Sequence, residues 1–164
     1  MKKKMLAIFA SLFVAGSSSV FAMGVGIQTG AGLGGYGLGN LSATVKLDNV
    51  PYLFTADVGF GTYGISLGAA ADRWMANPKI GNSMFNWFWG LGAGAGLQFY
   101  NYDGDSYLAL NAAFRVPVGI NCFLGQKKNW EVYVQSVPQV GLAILPDIGL
   151  YWGVPFYLGG RYWF

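Results

Sequence analysis

The chain closes on residues 148–164, which read I-G-L-Y-W-G-V-P-F-Y-L-G-G-R-Y-W-F. Ile148, Leu150, Trp152, Val154, Phe156, Leu158, Tyr162 and Phe164 share one parity, broken only by Gly160. Gly149, Tyr151, Gly153, Tyr157, Arg161 and Trp163 share the other. Side chains of an extended strand alternate between two faces, so this is one long strand with a continuous greasy face and a face of small, aromatic-polar and cationic groups. A strand of about 16 residues is far longer than the usual strand of a soluble domain and suits one that tilts across a hydrocarbon band about 25 Å tall.

Composition agrees with that stretch. Of 164 residues 54% are hydrophobic, 17% aromatic and only 10% charged, with 26 glycines and no histidine. Soluble domains carry charge on about a quarter of their residues. Glycines and polar residues interrupt every apolar run before it reaches the ~18 residues of a spanning helix. Only helices and closed barrels satisfy all backbone polar groups in lipid, so the expectation is an all-β, closed antiparallel up-and-down transmembrane barrel.

Residues 1–22 read as a signal peptide: Lys2-Lys3-Lys4, an apolar stretch from Met5 to Val14, then Gly16-Ser17-Ser18-Ser19 and the small-residue exit Val20-Phe21-Ala22. The barrel is then residues 23–164. Without the three leading lysines, seven Lys and Arg balance seven Asp and Glu, which leaves no basic surface for nucleic acid. Cys122 is the only cysteine, so no intrachain disulfide forms.

Eight alternating segments are expected: Met23 to Gly35, Leu41 to Leu47, Tyr52 to Phe60, Tyr63 to Asp72, Asn86 to Tyr100, Tyr107 to Leu124, Trp130 to Leu145, and the final strand. The longest connection is Arg73 to Phe85, with room for one helical turn. Eight is an even number, which brings both ends of the barrel to one side, taken as periplasmic. An eight-stranded interior is just wide enough for side chains to fill, so a closed plug rather than a pore is the default.

Two patterns are candidates for function. Lys46, Asp57, Asp72, Arg115, Glu131 and Arg161 all fall on the glycine-and-polar parity, as expected if a charge on the lipid face near the midplane costs roughly 2 to 4 kcal/mol. They predict a balanced interior network, with Glu131 pairing Arg161 across the last hairpin and Asp57 pairing Arg115 across the lumen. The alternative is that they line an ion path. Aromatics form the second pattern: Tyr52, Trp87, Trp89, Trp130, Tyr162 and Phe164 gather at the end of the termini, and Phe60, Tyr63 and Phe99 at the other, as membrane girdles do.

Other signals are weak. Gly32 to Gly37 matches G-x-G-x-x-G, but no helix follows and no acidic residue sits at the required distance. Asp103 and Asp105 beside Gly104 read as a turn rather than a calcium loop. Without histidine the usual base of outer-membrane hydrolases is missing, so neither an enzyme nor a cofactor is expected.

The eight segments and the terminal Gly159-Gly160-Arg161-Tyr162-Trp163-Phe164 resemble the small outer-membrane barrels of the OmpX and OmpA membrane-domain class. Lys46-Leu47-Asp48-Asn49-Val50-Pro51, Asn86-Trp87-Phe88-Trp89-Gly90 and Arg115-Val116-Pro117-Val118-Gly119 are similar to a family of small spirochaetal barrels. The resemblance implies an outer-membrane location and makes Phe164 the signal read by the barrel-assembly machinery. A structural or surface interaction role follows, toward outer-membrane lipid and a host or envelope protein. A minor channel for small or hydrophobic solutes is the alternative.

Overall fold

A computed structural model describes residues 23–34, 39–47, 50–61, 64–102 and 105–164. The export signal over 1–22, Tyr63 of the second girdle and Asp103 lie outside the described residues. The strands are β1 (Met23–Gly34), β2 (Gly39–Leu47), β3 (Tyr52–Gly61), β4 (Gly64–Ala76), β5 (Phe85–Tyr102), β6 (Asp105–Arg115), β7 (Val118–Leu124), β8 (Trp130–Ser136), β9 (Gln139–Leu145) and β10 (Gly149–Trp163). All pair antiparallel, and β1 returns to pair with β10.

These ten strands make a ring of eight, because β6 with β7 and β8 with β9 are the two halves of single spans. Each span is interrupted where proline removes an N–H from the ladder, at Val116-Pro117 and Val137-Pro138. The residue before each proline takes over: Val116 N donates to Pro138 O and Val137 N to Pro155 O, each at 2.8 Å, and Gly90 N donates to Pro117 O at 2.8 Å. No residue is inserted at these breaks. Gly92 opposite Arg115 and Trp89 opposite Val118 share one register, so the alternation of faces runs straight through.

Closure is visible in the register itself. Stepping across the sheet from Gly24 leads through Lys46, Leu53, Asp72, Gly92, Arg115, Gln139 and Gly153 to Gly34, ten residues further along β1. That stagger over eight strands corresponds to a tilt of about 35 to 45° and an interior that side chains can fill.

The outward rows are apolar and uncovered: Ile27 is 67% exposed, and Leu150 83%. A soluble protein would bury such a belt. Phe60 and Phe99 are exposed outward near one end, and Tyr52, Trp87, Trp130 and Phe164 near the end of the termini, where Tyr162 packs edge-on to Trp130 and Phe164 at 5.0 Å.

One segment departs from the sequence reading. β4 runs on to Ala76, and what reads as a helix-capable connection is the tip of the β4–β5 hairpin, with Lys79 bridging Asn86 and Ile80 N donating to Phe85 O at 2.9 Å. The extension turns Trp74 into the lumen and leaves Arg73 on the outer wall.

Candidate functional site in the barrel interior

The inner wall follows one rule of construction. A large inward side chain faces a glycine on the neighbouring strand and lies across that bare backbone. A Cβ on Gly24 would meet the Trp163 ring at 2.8 Å, one on Gly30 the Tyr157 ring at 2.7 Å, and one on Gly119 the Phe88 ring at 2.6 Å. Gly159 lies under Tyr133 and Gly26 under Arg161 in the same way. The glycine lets a side chain reach the second strand over. Tyr133 crosses Gly159 to donate to Gln28 Oε1 at 3.0 Å, and Gln135 Nε2 donates to the same oxygen at 3.1 Å.

The ion pairs use this geometry. Asp72, Gly92 and Arg115 form one row across β4, β5 and β6, and Arg115 Nε lies 2.9 Å from Asp72 Oδ1 over the glycine. The structure therefore corrects the partner expected for Arg115: its ion pair is to Asp72, not Asp57. Alternation reveals which face a residue takes but not the stagger between strands, and the stagger chooses the partner. Asp57 instead lies across Gly68, whose Cβ would stand 2.6 Å from its Oδ2, and borders open space.

Arg161 and Glu131 oppose each other directly on β10 and β8, with Arg161 NH1 3.3 Å from Glu131 Oε2, both fully buried. Glu131 also accepts from Asn121 Nδ2 at 2.6 Å and Trp163 Nε1 at 3.0 Å. The Arg161 guanidinium rests 4.3 Å from the Tyr133 ring centroid and 5.4 Å from that of Trp74. Lys46 Nζ sits 3.5 Å above Trp74, and Trp74 stacks on Phe88 with centroids 3.9 Å apart and planes 7° apart. These groups, with buried Leu53, fill the half of the barrel nearer the termini. Aromatic faces beside cations offset part of the desolvation that burial imposes.

The other half is open. A cavity of about 100 Å³ lies among Asn40, Asp57, Asn111, Gln139, Tyr151 and Tyr157, with Arg115 at its inner limit and glycine backbone over much of its wall. Asn40 Nδ2 donates to the Tyr157 hydroxyl at 3.3 Å. The interior is therefore a cup, floored by Arg115 on its Asp72 partner, with the packed rings and ion pair beneath. A separate open recess lies at the rim of the termini beside Lys46 and Trp74. Trp74 and Arg73 are the residues that sequence reasoning missed. The signal available was the parity of Asp72, which carries on to Trp74 if the strand is allowed to continue.

No family model matches this chain, and no curated protein does. Among solved structures it is similar to neisserial surface protein A, with a TM-score of 0.50 and 12% identity over 88% of this chain and 97% of that one. At that identity the likeness is one of fold, and it supports the small-barrel class for the ring described above.

Proposed function

We propose that this is an integral protein of a bacterial outer membrane, exported by a cleaved signal over residues 1–22, whose plugged and charge-compensated barrel serves a structural or surface interaction role. The observation that carries the reading is the pairing of an uncovered apolar exterior with an interior closed by buried ion pairs at Glu131–Arg161 and Asp72–Arg115. Charges so placed avoid lipid, and paired charges stacked on rings obstruct a path rather than line one. The rim away from the termini offers the stacked Tyr100 and Tyr107, centroids 5.4 Å apart, with Asp105 and Asp147 exposed nearby. A host or envelope partner would meet the protein there.

The cup above Arg115 favours a second reading, a minor conduit for small solutes. Planar-bilayer recording of the pure refolded protein separates the two. The plug predicts no steady unitary current, and reproducible unitary steps would establish the conduit in its place.

The proposal also assigns Phe164 to the barrel-assembly machinery. Phe164 is 68% exposed and tied to the barrel by its N–H, which donates to Met23 O at 3.1 Å. Phe164→Ser is expected to slow membrane assembly in cells while leaving refolding in detergent unchanged. Equal slowing in both settings would make the residue structural.

A further inference from the structure

We propose that Arg73 is a binding site for the headgroup phosphate of an anionic phospholipid, in the leaflet at the end of the barrel that carries the termini. The inference rests on the membrane reading above. Along β4 the outward row is Ile65, Leu67, Ala69, Ala71, Arg73 and Met75. Among the described strand residues, Arg73 is the one charged side chain on an outward row. Its direct neighbours are Tyr52 on β3 and Leu91 on β5, with Trp89 one outward position nearer the termini. It is exposed, and among the described residues its neighbours on the outer wall bring no carboxylate to it.

A guanidinium on a lipid wall is tolerated near the headgroups and strongly disfavoured at the midplane. Arg73 stands three residues from the end of β4, at the level of the aromatic girdle, where its side chain reaches the phosphate layer. The planar fork of donors matches two phosphate oxygens at once.

A separate observation gives the sign of the lipid. Among the described residues, the connections at this end expose Lys79, Lys127 and Lys128 and no Asp or Glu side chain. The opposite rim exposes Asp105 and Asp147 and no cation. Over the described residues the two ends therefore present opposite fields, and the one around Arg73 attracts an anionic leaflet.

The test is tryptophan quenching in phosphatidylcholine vesicles doped with brominated phosphatidylglycerol or, in parallel, brominated phosphatidylcholine. The wild type is expected to concentrate the anionic lipid roughly two- to fivefold over its bulk fraction. Arg73→Leu should lower that enrichment, and Arg73→Lys should keep part of it. Arg73→Leu suits the lipid wall and its folding is checked by heat-modifiable migration on gels. Equal enrichment in wild type and Arg73→Leu would overturn the site. Relief of the difference by free inorganic phosphate would also overturn it, showing an anion site without lipid preference. Absence of quenching by either brominated lipid would instead defeat the membrane reading itself.

Discussion

Glu131→Ala is expected to cost the barrel about 3 to 5 kcal/mol, because it strands the Arg161 guanidinium in a fully buried position with its counter-charge gone. The same change removes the acceptor of Asn121 Nδ2 and Trp163 Nε1, so three donors lose one carboxylate together. Urea titration of refolding into lipid vesicles reads the loss as a shift of the unfolding midpoint. Arg161→Ala alone also destabilises, since it leaves Glu131 without the cation and empties the space over Gly26. The double variant Glu131→Ala with Arg161→Ala should be more stable than the sum of the two losses predicts. Strict additivity would mean that the two groups do not depend on one another, and that the filled half of the barrel is held by its aromatics alone.

The second large effect is expected at Gly159. It lies directly between Gln28 on β1 and Tyr133 on β8, and the Tyr133 to Gln28 hydrogen bond passes over it. A Cβ there would run into the Tyr133 ring and stand 2.8 Å from Gln28 Cβ. Gly159→Val should therefore destabilise by about 1 to 3 kcal/mol or more through overpacking, in addition to breaking the bond it wedges apart. Gly149 offers the contrast: no atom lies within 4 Å of a Cβ built on it, so Gly149→Ala should leave the urea midpoint unchanged. A matched loss at both positions would show that backbone freedom, and not the crossing side chain, is what glycine supplies in these strands.

Alternation made the architecture legible from the sequence. Parity alone placed Arg115, Glu131 and Arg161 on the inside, because each sits among residues whose neighbours at odd spacing are apolar. Two things were hidden, for different physical reasons. The end of β4 was obscured because an outward arginine next to an inward aspartate looks like the polar run of a loop. Near the headgroups the outward row need not stay apolar, so the strand continues through Arg73. The choice of Asp72 over Asp57 by Arg115 was obscured because it depends on the registers of β5 with β4 and with β6, which no single strand records. The alternating glycines 90, 92, 94 and 96 of β5 held a clue: a bare strand lets its two neighbours touch over it.

The crossing of large side chains over glycine has a consequence for assembly. Sliding one strand against its neighbour by two residues would keep every greasy group toward lipid, so partition between oil and water cannot detect that error. Here such a slip would drive Tyr133 from Gly159 onto Tyr157 or Arg161, Phe88 from Gly119 onto Pro117 or Asn121, and either Tyr157 or Arg161 onto Gln28. The barrel thus proofreads its own alignment sterically, by knobs that have only one set of empty seats.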